Sequence, residues 1–273
     1  MGARRGIRWV LLDGAVIALA VMSSLVLSTP AAAETAEATM AVPEAAAALP
    51  ACPFWAGDVT PPTRQDSPFK APPQRAPAID LSGRLAVPSG VTGTLSGGQV
   101  TVTFNRVAGA KAYRVWRNGQ SVAWVSDWGQ PAPLTVVDKS PCQHAFYTFV
   151  SMKDEGGADA AMGKLSRPYQ LGDNGTVAPW STPVGSTMTM MVTSYNDIGQ
   201  TASAYATKSG ICAVDPRVIP WGTYFSVPDY GTCYAADIGT WIKDATVDVW
   251  LAGSQADDWG VQHRTITILA GPP

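Results

Sequence analysis

Turn residues punctuate this chain so closely that a long helix has almost nowhere to form. With 26 Gly and 22 Pro in 273 residues, the apolar stretches are cut into short pieces rich in β-branched and aromatic side chains. "GQVTVTFNRVAGAKAYRVWRNGQSVAWVS" alternates polar and apolar residues, and its Asn118-Gly119 is a strong two-residue hairpin signal. "LTVVD" and "AFYTFVSMKDEGG" continue as strands and "KLSRPYQL" closes the segment. Further on, "MTMMVTSYND", "GICAVDP", "IPWGTYFSVPDYGTCYAADIG", "TVDVWL" and "RTITIL" repeat the pattern. The expected fold class is all-β: a β-sandwich over residues 82–170, a Gly/Pro/Ser linker over 171–186, and a compact β-barrel over 187–273.

The beginning of the chain has a different texture. Arg4, Arg5 and Arg8 precede an apolar run from Trp9 to Leu27, and Ala31-Ala32-Ala33 offers a small-residue cleavage site. Residues 1–33 therefore read as a secretory signal. The run is also long enough to serve as an uncleaved N-terminal anchor. Residues 34–81 form an Ala-rich leader followed by a Pro-rich arm. Taking Arg4, Arg5, Arg8 and Asp13 from the 19 basic and 21 acidic residues leaves 16 and 20, a net charge near −4. Such a balance argues against a general nucleic-acid binder.

Four cysteines in an exported chain suggest two disulfides, with three connectivities open. Cys212–Cys233 within the barrel and Cys52–Cys142 tying the arm to the sandwich is the favoured pairing. Metal binding lacks any C-x-x-C spacing to support it. The sandwich carries nine basic and five acidic residues and the barrel four and eight. The basic excess reads as a solvated spacer surface, or as a weak contact for anionic wall polymers.

Much familiar chemistry has no residues to run on. The two histidines, His144 and His263, do not make a zinc hydrolase. There is no G-x-S-x-G elbow, P-loop or dinucleotide fingerprint, and no cofactor or metal is expected. Asp257-Asp258 reads as a water-exposed pair. Carboxylates remain. In "TVDVW", period-two alternation sends Val247 and Val249 to one face and Thr246, Asp248 and Trp250 to the other. Asp237 closes the strand "CYAAD" near Asp248, and Asp215 ends another strand before Pro216. Carboxylates held close together push one pKa upward, which yields an acid able to protonate a leaving sugar oxygen. Turn capping is a credible alternative for Asp215 and a weak one for Asp248, which sits mid-strand between valines.

Two resemblances rest on these residues. Val100-Thr101-Val102-Thr103-Phe104, Gly109-Ala110, Tyr113-Arg114-Val115 and Arg117-Asn118-Gly119 make residues 82–169 similar to a fibronectin type III module, with Phe104 where that family usually has Trp. "VTSYND…SGICAVDPRVIPWGTYFSVPDYGTCYAADIGTWIKDATVDVWL…WG…ITIL" resembles the three-aspartate (3D) domain of lytic transglycosylases and stationary-phase survival muralytic proteins. The resemblance implies a double-psi β-barrel that cleaves the MurNAc–GlcNAc β-1,4 bond of peptidoglycan without water. It assigns Asp248 as acid and base, Asp237 as its partner, and Thr193, Tyr195 and Lys243 as groove residues, with Asp215 in support. The turn Asp237-Ile238-Gly239-Thr240-Trp241-Ile242-Lys243-Asp244 departs from the family's Asp-Thr-Gly-Gly-Ala-Ile-Lys-Gly. Trp241 there either stacks on a sugar ring or plugs the groove. Trp221 and Trp250 are open to the same question, core or sugar platform. The competing function is an expansin-like barrel that binds wall polysaccharide without cutting it.

Overall fold

The computed structural model describes residues 48–68 and 73–271. The signal or anchor expected over residues 1–33 lies outside the described residues. Among those described, no helix is long and apolar enough to cross a membrane.

The chain is all-β. Eight strands come first: β1 (Thr92–Ser96), β2 (Gln99–Phe104), β3 (Ala112–Arg117), β4 (Gln120–Ser126), β5 (Leu134–Asp138), β6 (Phe146–Met152), β7 (Tyr169–Leu171) and β8 (Thr176–Pro179). They form one antiparallel sheet in the order β4-β3-β6-β7-β8-β1-β2-β5, with β4 and β5 at its ends brought near each other. Asn118 and Gly119, with φ of 46° and 76°, make the predicted two-residue hairpin between β3 and β4. Residues 176–179, expected to be linker, add a strand instead, because β8 fills the gap between β7 and β1.

Six more strands close a barrel: β9 (Thr187–Tyr195), β10 (Ile211–Val214), β11 (Tyr224–Val227), β12 (Gly231–Asp237), β13 (Thr246–Trp250) and β14 (Gln262–Leu269). Around the barrel the order is β10-β12-β11-β14-β9-β13. Two pairings are parallel, β10 with β12 and β9 with β13; the others are antiparallel. A short helix, α1 (Gln255–Trp259), precedes β14 and carries the exposed Asp257 and Asp258. The disulfides are Cys52–Cys142 and Cys212–Cys233, the pairing favoured from the sequence.

Sheet and barrel share a core. Every residue of β6 is buried, which a strand with one wet face could not achieve. Its Tyr147 and Phe149 pack into the sheet's own interior. Val150 and Met152 turn the other way and join Trp116, Met162 and Leu165 against barrel residues such as Trp221, Ile219 and Tyr205. Trp116 meets Trp221 edge to face, with centroids 5.6 Å apart. Gly222 belongs at this seam. Its φ is 89°, and a Cβ there would collide with the Ser166 carbonyl.

Candidate functional site

The alternation in β13 sets the site. Val247 and Val249 point into the core, and Asp248 points the opposite way. On one side of β13 lies β9, parallel, with Thr193 level with Asp248 and Tyr195 level with Trp250. On the other side lies β10, with Ala213 level with Asp248. A register shift between Cys212 and Ala213 brings Asp237 of β12 level with that same Ala213. Residues level across neighbouring strands share a face. Asp237, Ala213, Asp248 and Thr193 therefore form one rung, with the two aspartate Cα atoms two strand spacings, about 10 Å, apart. A buried methyl, that of Ala213, lies between the carboxylates.

The two aspartates are held differently. Asp237, 8% exposed, accepts three hydrogen bonds: from the backbone N–H of Ala202 and of Ile238, each at 2.9 Å, and from the Tyr195 hydroxyl at 3.2 Å. Burial raises its pKa, and those three donors oppose the rise by stabilising the charge. Asp248 accepts a hydrogen bond of 2.6 Å from Thr193 Oγ1. Burial pushes its carboxyl up to about 6; Thr193 and the positive charge of Arg64 pull down, and the charges of Asp237 and Asp197 push up. The main cause is thus burial, with the neighbouring carboxylate a smaller contribution than its sequence position suggested. Burial and the neighbouring Asp237 likewise drive the Tyr195 hydroxyl far above its ordinary range, so Tyr195 stays a neutral donor.

Asp215 faces inward. Its side chain is fully buried beside Arg217. It accepts from the Arg217 backbone N–H, from the Arg217 guanidinium and from the Asp244 N–H at 2.9 Å. It clamps the turn after β10 onto the loop between β12 and β13. Asp244, one of the turn's departures from the pattern it resembles, adopts a φ of 52°, and its carboxylate receives a second guanidinium contact from Arg217 at 3.2 Å. The departure is thereby accommodated, since Asp tolerates this conformation better than most residues.

Trp241 is 51% exposed on the same loop, so its ring sits outside the core. Lys243 lies 5.7 Å from the ring centroid of Phe54 in the leading arm. Trp221 is core, and its indole N–H donates to the Asp237 carbonyl at 3.1 Å. Trp250 donates to the Asp197 carbonyl at 3.0 Å. His263 pairs with Asp66 at an exposed position. Two charged neighbours of the rung, Arg64 and Asp197, were not expected. Asp197 belongs to the "SYND" run at the end of β9, and a charge two residues after a site tyrosine was the available signal. Arg64 lies in a Pro-rich stretch with no pattern that points to Asp248.

A buried carboxylate, Asp237, and a half-buried one, Asp248, thus share the wall of a small closed barrel, with a tyrosine and a threonine donating to them. Residues 211–270, which hold Asp215, Asp237 and Asp248, match the 3D domain family. Two Bacillus subtilis (strain 168) proteins are similar to this chain. One, named "Cell wall-binding protein YocH", is 42% identical over 60 residues, 22% of this chain and 21% of that protein. The other, named "Putative cell wall shaping protein YabE", is 37% identical over 124 residues, 41% of this chain and 30% of that protein. The matched parts thus span less than a third of either relative. No solved structure matches the chain.

Proposed function

We propose that this protein is an exported, cell-envelope lytic transglycosylase that cleaves the MurNAc–GlcNAc β-1,4 bond of peptidoglycan. The observation that carries the proposal is Asp248, held by Thr193 with its pKa raised by burial to about 6. Such a group is protonated in an appreciable fraction of molecules near neutral pH, as a general acid must be. The 3D match over the three aspartates and the cell-wall names of both relatives support a cell-wall substrate. In this reading the barrel is a double-psi barrel, the eight-stranded sheet is a fibronectin type III-like accessory module, and residues 1–33 are a signal.

The reaction balances without water. Asp248 gives its proton to the oxygen leaving C1 of MurNAc. Its carboxylate then takes the proton of the MurNAc 6-hydroxyl, whose oxygen closes on C1 to form the 1,6-anhydro ring. Asp248 ends protonated, as it began. Because the nucleophile belongs to the substrate, one carboxylate serves as acid and then base, unlike the paired carboxylates of ordinary glycosidases. Asp237, fixed by three donors, remains the charged partner that stabilises positive charge developing at C1. Thr193 positions Asp248, Tyr195 positions Asp237, and Lys243 and Trp241 line the approach.

A second reading, wall binding without cleavage, is favoured by one specific feature, the half-exposed Trp241 on the variant loop. Mass spectrometry of purified peptidoglycan digested by the wild type and by Asp248→Asn separates the two. Products carrying 1,6-anhydro-MurNAc, absent with the variant, establish the transglycosylase. No product from either protein, with both still pelleting on the wall, establishes the binding module.

A further inference from the structure

The leading arm touches the site at both ends. Disulfide-bonded Cys52 offers its carbonyl to Arg217 at 3.5 Å. Two residues on, Phe54 is buried, 5% exposed, between the Arg217 guanidinium at 5.2 Å and the Lys243 ammonium at 5.7 Å from its ring centroid. Farther along, Asp66 pairs with His263 at 2.7 Å, and the Ser67 N–H donates to the Val261 carbonyl at 2.8 Å. Lys243 belongs to the loop leading into β13, Val261 immediately precedes β14, and His263 lies at the start of β14, which pairs with β9. The chain between Phe54 and Asp66 therefore crosses from the β13 side to the β14 side. On the way, Arg64 comes close enough to Asp248 for its positive charge to act on that carboxylate.

The crossing is lightly held. Among the described residues, the backbone from Thr60 to Gln65 makes no hydrogen bond with the barrel. Its side chains are largely exposed, with Arg64 half-buried. A segment fixed at its ends with few contacts between them is of the kind that opens locally at low cost.

We infer that residues 53–68 are a strap across the aspartate site, which packs Phe54 against Lys243 and carries Arg64 past Asp248, and which must lift for a glycan strand to bind. The inference rests on the glycan-binding reading of the site. Of the groups that a sugar chain would use, Lys243 is packed on Phe54 of the protein's own arm and Asp248 lies within the field of Arg64. An anionic, uncut glycan strand competes with Phe54 for Lys243 while displacing Arg64 from Asp248, so entry and release of the strap are one exchange.

Calorimetric titration of the full chain with the tetrasaccharide GlcNAc–MurNAc–GlcNAc–MurNAc, beside Arg64→Ala, Arg64→Lys and Asp66→Ala, tests this. The strap predicts that Arg64→Ala and Asp66→Ala each bind about fivefold more tightly, the scale of one exposed charge interaction, while Arg64→Lys stays near wild type. It also predicts that saturating tetrasaccharide accelerates hydrogen exchange of the backbone amides of residues 60–67 in the wild type. Weaker binding by Arg64→Ala would make Arg64 a glycan contact and overturn the strap. Unchanged affinity and unchanged exchange would make the arm passive packing and overturn it equally. The MurNAc 6-hydroxyls of the tetrasaccharide are O-acetylated, which removes the proposed nucleophile, so the titration reads binding alone. Failure of every variant to bind the tetrasaccharide would remove the glycan reading and the strap together, a pattern distinct from binding that ignores Arg64.

Discussion

Asp237 and Asp248 lie level with one and the same residue, Ala213, from opposite sides. The arrangement separates two carboxylates by a single methyl-bearing position and allows each its own environment. Asp237 has three donors and Asp248 has Thr193. Different environments for paired acids are how one member is kept as a proton donor and the other as a charge.

That arrangement costs stability at neutral pH. The folded pKa of Asp248, about 6, lies above its ordinary value of 3.8. The stability it contributes is fully present below about pH 4 and is lost as pH rises through about 6, a loss of about 3 kcal/mol at neutral pH. Asp248→Asn is expected to exceed the wild type in stability by about 2–3 kcal/mol at pH 7.5 and to match it at pH 3.5. Urea denaturation at the two pH values measures this, and a difference that does not change with pH would refute it.

Cleavage should follow the protonated fraction of Asp248, falling about tenfold per pH unit above about 6. Thr193→Val removes the hydrogen bond that favours the carboxylate. It should move the falling limb of the rate profile upward by about one pH unit. A limb that stays in place while the rate drops would show Thr193 acting on substrate instead.

Arg217→Ala leaves the buried Asp215 carboxylate without its cation. A loss of about 3 kcal/mol is expected, since an uncompensated buried charge remains behind. Asp244→Gly, by contrast, relieves a residue at φ 52° and gives up an exposed contact, so its effect should stay within about 1 kcal/mol. Thermal and urea unfolding of the two variants side by side check the contrast.

Trp241→Ala should leave stability within about 0.5 kcal/mol, as expected for a half-exposed ring. If the ring stacks on sugar, wall affinity drops about fivefold, the scale of one such contact. Pelleting assays with purified peptidoglycan read this directly. An increase in affinity would mean that the ring obstructs the groove.

Much of this site was legible before any coordinates. A lone Asp between two valines in "TVDVW" can only be explained by the face it occupies, and the structure places it there. The Asn118-Gly119 hairpin was legible for a similar local reason, and the disulfide pairing from the segments in which the four cysteines fall. What could not be read is what tertiary placement alone decides. The shift between Cys212 and Ala213 that brings Asp237 level with Asp248 has no local signature. The approach of Arg64 depends on where a disulfide and a few backbone contacts lay an otherwise featureless arm. Residues 176–179 looked like linker because a short edge-filling strand with Pro179 carries little pattern of its own.

The double-sided burial of β6 has a consequence for anyone who would lift out the last third of the chain as a cassette. Trp221, Ile219 and Tyr205 share one core with Trp116, Val150, Met152, Met162 and Leu165 of the sheet side, and Trp221 also fastens the carbonyl of Asp237. A barrel expressed from residue 187 onward would present that flank to solvent, a greasy patch next to the aspartate rung. The eight-stranded sheet is therefore a chassis for the barrel and not a detachable spacer.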